Sequence, residues 1–340
     1  QLAFMLWRRL GPRPPQRAMP SEARLRPDVV ASPFLASEGC LPSRSRFRFL
    51  NREREFDLAS MDWQGAEMPK LWCYNLHYFD FLTEATCDFE LGASLIDSWI
   101  AENPPGGENA WEPYALSKRI VNWCKFILLH QEQGMAVPEL WLRSLHQQAA
   151  YLMGDLEYHI LANHFFKNAL ALVFVGTLLD GPTADAWRAK GLQILRQEIP
   201  EQFLADGGHY ERSLLYHGVM LEDLLDLMNL ADGAGDLLEA TDRRLFREAA
   251  ESARRFFAGL IYPDGEIPLF NDAAFGIAPK PARLLEYAAR LLGPKPEPGP
   301  DAADGAIEAA ASGYYGARLG DDMLLIDCGP MGPDYQPGHG

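Results

Sequence analysis

A long stretch of helical periodicity constrains the fold of this chain more than any other feature. Between about residues 71 and 292, apolar residues recur every three or four positions, as at Ile120, Trp123 and Ile127. This spacing places them on one face of a helix, and it predicts roughly nine or ten helices. The interruptions are short and rich in proline and glycine; they lie at 103–109, 133–138, 179–183, 206–208, 232–235 and 263–265.

The order of the predicted elements narrows the fold class. No strand pattern separates the helices, which argues against alternating strand–helix folds with a parallel sheet. So many antiparallel helices favour either a solenoid or a closed ring of helix hairpins. No repeat with a fixed sequence motif is visible, so the residues alone leave both arrangements open.

The flanking segments differ in composition from the helical region. The first is rich in proline, arginine and serine, with a short strand predicted at 47–50, and the last holds two strands joined by a turn at 320–322. Two strands cannot hold a core by themselves, so they indicate the start of a β-domain. The predicted domains are an extended arm (1–70), a helical domain (71–292), a linker (293–310) and the truncated start of a β-domain (311–340).

Charge and composition exclude several classes of protein. The formal net charge of −16 makes the chain a poor general ligand for nucleic acid or anionic membranes. No apolar run reaches the roughly twenty residues of a membrane span. The charges at Arg8 and Arg9 follow the first apolar patch instead of preceding it, so no signal peptide is visible. The five cysteines form no CxxC pair or zinc spacing, so we expect free thiols and no metal site.

Polar residues cluster at several points of the helical region. Glu157, His164 and Lys167 would share one face of a helix, and polar groups at this density need partners or a cleft. A second cluster follows the turn at 206–208, where Arg212, Tyr216 and Asp223 would form one stripe of a helix. Each cluster taken alone is equally compatible with a capped helix and satisfied interior side chains.

Taken together, these segments resemble a known family. In chain order they look like the heparinase II/III-like polysaccharide lyases, and the likeness extends over about residues 45–340. The matching segments are 71–80, Arg119-Ile120-Val121-Asn122-Trp123, Asn163-His164, 206–213 with Tyr216-His217, Leu269-Phe270-Asn271-Asp272, and 329–340, which resembles the approach to the family's histidine-rich motif.

The resemblance implies an incomplete (α/α) toroid followed by an antiparallel β-sandwich, and it implies β-elimination at a uronic acid. The proton on C5 is weakly acidic, so amide or imidazolium donors must meet the charge that develops on the carboxylate. Asn163 and His164 match the family's neutralising pair, and Tyr216 matches its catalytic tyrosine. A tyrosine with an ordinary pKa near 10 is a natural acid, and it could act as base only beside cations. His339 would complete the site.

The resemblance also implies partners. The substrate would be an acidic polysaccharide, and the protein would work in the periplasm or outside the cell. The family's β-domain can hold a structural metal beyond the last residue of this chain. Heparan sulfate, alginate and a bacterial exopolysaccharide all remain open as the glycan. The side chains expected to line the sugar cleft are His77, Tyr78, Trp111, Arg119, Trp123, His209, Glu211 and Asn271.

Two other functions remain open. A glycoside hydrolase on the same toroid would need two carboxylates across a cleft, and Asp206, Glu211 and Asp272 are available. A non-catalytic protein that binds glycan or assists exopolysaccharide assembly would keep the aromatic cleft without needing Tyr216. A helical scaffold for protein partners is disfavoured, because polar residues occupy positions that face other helices.

Overall fold

A computed structural model describes residues 18–294 and 305–330 of the chain. Nine α-helices and five β-strands lie in these ranges, so the expected mainly helical chain with a small C-terminal sheet is confirmed. The chain divides into two compact units. The first comprises Gln1–Leu195 and Gly233–Leu237, and the second comprises Arg196–Asp232 and Leu238–Gly340. The predicted domain boundaries differ from this division and remain a prediction.

A β-hairpin lies in the arm of the first unit. Strand β1 (Arg46–Phe49) pairs antiparallel with β2 (Arg52–Glu55). The two connecting residues, Leu50 and Asn51, have φ of 51° and 59°, as a tight hairpin turn requires. Phe47 and Phe49 are buried, and the outward arginines of β1 pair with glutamates of β2. The sequence predicted only the first strand, because β2 (RERE) has no apolar residue.

The first unit also contains five helices and the start of a sixth. Asp88 caps α2 (Phe89–Glu102), because its side chain accepts the Leu91 N–H at 2.9 Å, and α3 (Pro113–Glu132) begins with proline. Helix α5 (Ala162–Leu178) is buried on nearly all sides and contacts α3 and α4 (Glu139–Leu152), so it forms the centre of this unit. The helices are α1 (Lys70–Tyr78), α2 (Phe89–Glu102), α3 (Pro113–Glu132), α4 (Glu139–Leu152), α5 (Ala162–Leu178) and the first part of α6 (Pro182–Gln202).

The second unit begins within α6 and adds three helices, α7 (Leu214–Gly233), α8 (Ala240–Leu260) and α9 (Pro281–Leu292). The guanidinium of Arg196 donates to both carboxylate oxygens of Asp242 at 2.7 and 2.9 Å, which joins α6 to α8. The buried hydroxyl of Tyr287 donates to Asp226 at 2.9 Å and so joins α9 to α7. These polar contacts add geometric specificity to an otherwise apolar packing.

A three-stranded antiparallel sheet completes the second unit. Its order is β3 (Gly305–Ala309), β4 (Tyr314–Leu319) and β5 (Asp322–Asp327). Leu319 pairs with Asp322 across a turn in which Gly320 has φ of 59°, so the predicted hairpin at 320–322 is confirmed. Strand β3 lies within the segment that was predicted to be a linker. The sequence did not predict this strand, because GAIEA carries little strand propensity.

Two expectations from composition concern cysteines and membranes. All five cysteines lie in described residues and are free, and the predicted burial of Cys73 and Cys124 is confirmed. Burial raises the pKa of the Cys124 thiol well above its ordinary value, which makes it a packing residue and a poor nucleophile. Within the described residues, no helix combines the length and the apolar character that a bilayer span requires.

Candidate active site

The start of α5 has a strained backbone. Leu161 has φ of 60° and ψ of −146°, and Ala162 follows with φ of 49°. Neither residue is glycine, and such conformations cost about 1–3 kcal/mol each. They persist only where the surroundings fix the backbone, and strained residues cluster at functional sites. The strain lies directly before Asn163 and His164.

A buried carboxylate lies beside the His164 ring. Oε1 of Glu157 is 3.1 Å from Nδ1 of His164, and Oε2 accepts Nδ2 of Asn168 at 3.0 Å. The backbone N–H of Glu157 donates to Oδ1 of Asn168 at 2.8 Å. The Glu157 side chain is 4% exposed, whereas the His164 side chain is 33% exposed. The carboxylate is therefore held inside the protein while one edge of the imidazole remains accessible.

The sequence predicted this proximity for the wrong reason. The spacing assigned Glu157 and His164 to one face of a single helix, but α5 begins at Ala162 and Glu157 lies in the preceding turn. The two side chains meet because the chain reverses at 157–161, where the backbone N–H groups of Ile160 and Leu161 bond to the carbonyl of Glu157. Asn163 is buried within the first turn of the helix.

One aromatic ring contacts His164 directly, and other tyrosines lie next to it or close by in sequence. The Tyr114 ring lies 4.4 Å from the His164 ring, and the Tyr78 ring lies 5.8 Å from Tyr114. Tyr158, which precedes α5, is 50% exposed and lies 4.7 Å from the buried ring of Phe165. Exposed rings of this kind suit contact with sugar faces. Neither Tyr114 nor Tyr158 was among the residues expected to line the cleft. Their positions in the sequence, close to Trp111 and to Asn163-His164, were a usable signal.

Four of the side chains expected to line a sugar cleft are core residues of the first unit. Trp111, Trp123, His77 and Arg119 are all buried. His77 accepts the indole N–H of Trp99 at 3.1 Å, and burial with the nearby Arg119 charge lowers its pKa to about 3. All four contact the buried ring of Trp99, so they belong to one packed aromatic cluster. Tyr78 is also largely buried, and its carbonyl accepts Nδ2 of Asn122 at 2.8 Å.

Arg119 is a buried cation without a counter-ion. Its Nε donates to Oε1 of Gln148 at 2.9 Å, its Nη1 donates to the carbonyl of His77 at 3.3 Å, and its guanidinium lies 3.9 Å from the centre of the Trp99 ring. Among the described residues, no carboxylate forms an ion pair with it, and burial pushes its pKa well below the ordinary value. Amide, carbonyl and π contacts compensate for part of the lost hydration.

Tyr216 lies in the first turn of α7, in the second unit. Burial, reinforced by the negative charges of Asp272 and Glu211, raises its pKa to about 12. The phenol therefore keeps its proton at neutral pH and is chemically a donor. The predicted stripe of Arg212 with Tyr216 on one helix is wrong at Arg212, because α7 begins at Leu214 and Arg212 has φ of 55° in the preceding turn.

His209 and His217, which follow the turn at 206–208, form hydrogen bonds within the second unit. His217 accepts the backbone N–H of His209 at 3.1 Å on Nδ1, and its Nε2 lies 3.0 Å from the carbonyl of Ala253. Burial lowers the pKa of His217 to about 4, so the ring is neutral. Nε2 of His209 lies 3.0 Å from Oε1 of Gln202. Both His209 and Glu211 are buried. Their expected contact with substrate remains a prediction.

Asn271 joins the polar loop of the second unit to its sheet. Its Nδ2 donates to the carbonyl of Arg212 at 2.6 Å and to Oδ2 of Asp327, on β5, at 3.1 Å. Tyr314 of β4 donates its hydroxyl to the same carbonyl of Arg212. Asn271 itself is exposed, so it keeps surface for a ligand. His339, the fourth expected catalytic residue, lies outside the described residues.

Comparison with known proteins adds the evolutionary context. The family model described as Heparinase II/III N-terminus matches residues 90–287. A heparin-sulfate lyase of Bacteroides thetaiotaomicron is 30% identical over 194 residues, which are 52% of this chain and 27% of that protein. The FtsZ-localized protein C of Caulobacter vibrioides is 27% identical over 278 residues, which are 79% of this chain and 45% of that protein.

Solved structures show the same fold. A crystal structure of heparinase III matches with a TM-score of 0.59 at 18% identity, over 97% of this chain and 57% of that one. Heparan sulfate lyase HepC from Pedobacter heparinus matches with a TM-score of 0.52 at 20% identity, over 87% of this chain and 50% of that one. The predicted fold class, a helical toroid followed by antiparallel strands, is thereby confirmed.

Fold and sequence together place this chain in one protein family. The family model covers more than half of the chain, and the chain belongs to the heparinase II/III family. It aligns with between 27% and 45% of the length of the two curated relatives described above.

Proposed function

We propose that this chain is the helical part of a polysaccharide lyase that cleaves a uronate-containing glycan by β-elimination. The start of α5 carries the proposal: a strained backbone precedes the buried Asn163 and the partly exposed His164, and a buried carboxylate holds the imidazole. The heparin-sulfate lyases among its relatives support the reaction class.

The chemistry assigns a role to each of these groups. A base removes the C5 proton, and the C5–H electrons form the C4–C5 double bond as the C4–O bond breaks. The leaving glycosidic oxygen then takes a proton. Negative charge develops on the uronate carboxylate, so donors placed there accelerate the step. The Asn163 amide and the His164 imidazolium would supply those donors.

Tyr216 would be the general acid. An acid must hold its proton until the C4–O bond breaks, and a phenol with a pKa near 12 does so at neutral pH. The raised pKa also argues against Tyr216 as the base of the resting protein. A phenol acts as a base only when nearby cations lower its pKa, and Tyr216 is instead buried near the carboxylates of Asp272 and Glu211. His339 would complete the site, as the resemblance to the family implies.

A product assay tests the proposal. The full natural protein is incubated with heparan sulfate, alginate and a bacterial uronate exopolysaccharide, and near-ultraviolet absorbance reports unsaturated uronate. We expect absorbance to rise on one of the three and to stay flat with His164→Gln. Saturated reducing ends without absorbance would instead establish the hydrolase, for which Asp206, Glu211 and Asp272 are the carboxylates to replace.

A non-catalytic role is the second candidate. Of the relatives described above, the Caulobacter protein matches more of this chain than the lyase does, and it is named for localisation with FtsZ. A glycan-binding or assembly protein would keep the fold without turnover. Retention on an immobilised uronate glycan, with no product of either kind, would support this alternative.

A further inference from the structure

The Glu157 carboxylate has only one arrangement of hydrogen bonds available to it. An ionised carboxylate accepts and does not donate. Because Oε1 lies 3.1 Å from Nδ1 of His164, this ring nitrogen must carry a hydrogen. The ring nitrogen Nε2 is then left on the opposite edge, with a lone pair in the neutral ring and an N–H in the imidazolium.

Asn168 fixes the orientation of this carboxylate. A backbone N–H can only donate, so the Asn168 atom that faces the Glu157 N–H at 2.8 Å must be the amide oxygen. The amide nitrogen of Asn168 therefore points to Oε2 of Glu157 at 3.0 Å and to Oγ of Ser117 at 3.1 Å. Each donor in this chain of contacts meets an acceptor, so the arrangement is determined without reference to the histidine.

The surroundings leave one edge of the His164 ring accessible. Glu157 covers the Nδ1 edge, and the Tyr114 ring lies 4.4 Å from the ring centre. One third of the side chain is nevertheless exposed, and Nε2 is the ring nitrogen that Glu157 does not cover. The strained residues Leu161 and Ala162 set the start of α5 so that the ring reaches the carboxylate.

We infer that Glu157 is a positioning residue that keeps Nδ1 of His164 protonated and presents Nε2 to the substrate. The inference rests on the proposed function for its consequence. While Nδ1 carries the hydrogen that faces Glu157, Nε2 can donate to a uronate carboxylate only in the imidazolium form, and the Glu157 carboxylate is the counter-charge for that cation. Asn168 donates to the other oxygen of this carboxylate, and Ser117 accepts from the same amide nitrogen, so both help to fix its orientation.

Replacement of one atom tests the inference. In Glu157→Gln, the amide oxygen must face Asn168 Nδ2, because Asn168 is held by the backbone N–H. The new NH₂ group then faces Nδ1 of His164 and can only donate to it. The neutral ring is therefore forced into the opposite tautomer, with the hydrogen on Nε2.

A second replacement reverses the effect. In Glu157→Gln/Asn168→Asp, the new carboxylate at position 168 still accepts the backbone N–H of residue 157. It also accepts the NH₂ group of the new amide at position 157, while the Ser117 hydroxyl turns to donate. The oxygen of that amide then faces His164, and the hydrogen returns to Nδ1. General destabilisation cannot produce this restoration, so the double variant separates positioning from a merely structural role.

Long-range ¹H–¹⁵N correlation spectra read the tautomer directly, and the His164 signals are assigned by their loss in His164→Gln. We expect the ring hydrogen on Nδ1 in the wild type, on Nε2 in Glu157→Gln, and on Nδ1 in the double variant. Glu112→Gln removes a carboxylate from the same unit that contacts Tyr74 and Lys70, and it should leave the His164 spectrum unchanged.

An unchanged tautomer in Glu157→Gln, or one that the double variant does not restore, overturns the inference. These spectra need no substrate, so a failure of the lyase proposal leaves the test intact. If the full protein is a lyase, kcat of Glu157→Gln should fall by about 10²-fold with little change in KM, since charge stabilisation in the transition state is lost. Unchanged kcat alongside an inverted tautomer would also contradict the positioning role.

Discussion

Ser312 donates two hydrogen bonds to the carboxylate of Asp206, from its backbone N–H at 2.7 Å and from its hydroxyl at 2.9 Å. The contact attaches the turn between β3 and β4 to the loop that precedes α7. Gly208 lies so close that a Cβ there would be 2.1 Å from the Ser312 hydroxyl. The Asp-Gly-Gly segment of the sequence is therefore a docking element for the sheet as well as a turn.

Gly208→Ala should destabilise the second unit. The added methyl group would meet the Ser312 hydroxyl and, at 2.7 Å, the Phe256 ring, so the loop or the sheet must shift. Overpacking of this kind costs about 1–3 kcal/mol. Chemical denaturation gives the free energy of unfolding. Gly259→Ala is the matched control: nothing lies within 4 Å of that helical position, and stability should rise by about 0.5–1 kcal/mol. Equal effects at both glycines would contradict the docking role.

Tyr216→Phe should abolish turnover while leaving the fold intact. The phenol is the proposed acid, and its loss should lower kcat by about 10²–10⁴-fold. Because its raised pKa keeps Tyr216 neutral in the folded state, its contribution to stability is complete below pH 10 and is lost as pH rises toward about 12. Ultraviolet titration of phenolate should therefore show one late-ionising tyrosine fewer in the variant. A variant with wild-type kcat would exclude Tyr216 as the acid.

Two buried histidines should make the protein sensitive to acid. The pKa values of His77 and His217 are lowered from 6.5 to about 3 and about 4, so the unfolded chain binds protons more readily. Their stabilising effect is present above about pH 6.5, and each loses about 1.4 kcal/mol per pH unit below it. Urea unfolding between pH 7 and pH 5 measures the slope. His77→Asn keeps an acceptor for the Trp99 indole and should give a shallower slope; an unaltered slope would mean that His77 does not contribute.

Gln148→Glu should stabilise the first unit by giving Arg119 a counter-ion. The carboxylate would replace the amide oxygen that accepts Arg119 Nε at 2.9 Å, and the Ser144 hydroxyl, now 3.2 Å from the amide nitrogen, would turn to donate. Charge-assisted hydrogen bonds are roughly twice as strong as neutral ones. We expect a gain of about 1 kcal/mol in unfolding free energy. Gln148→Leu removes the acceptor and should cost about 1–3 kcal/mol. A loss from both variants would show that desolvation of the new carboxylate outweighs the ion pair.

Local pattern determined much of this protein. Apolar spacing located the helical region, glycine at 320 located the hairpin, and β1 followed from Phe47 and Phe49, because these signals depend on neighbours within a few residues. The second strand of the arm and β3 were missed for the same reason, since RERE and GAIEA lack the local pattern that a strand usually shows.

Tertiary structure decided which polar residues face one another and which are buried. Periodicity placed Glu157 on the helix of His164, but the contact depends on a reversal of the chain at Leu161, which no propensity predicts for a leucine. Arg119, Trp123 and His77 were expected in a cleft and are buried in the core. The sequence did not reveal this, because the neighbours of an aromatic or basic residue on a helix do not show whether its side chain faces the core or a cleft. Burial and electrostatics, which keep the proton on Tyr216 and remove it from His77 and His217, exist only once distant segments have come together.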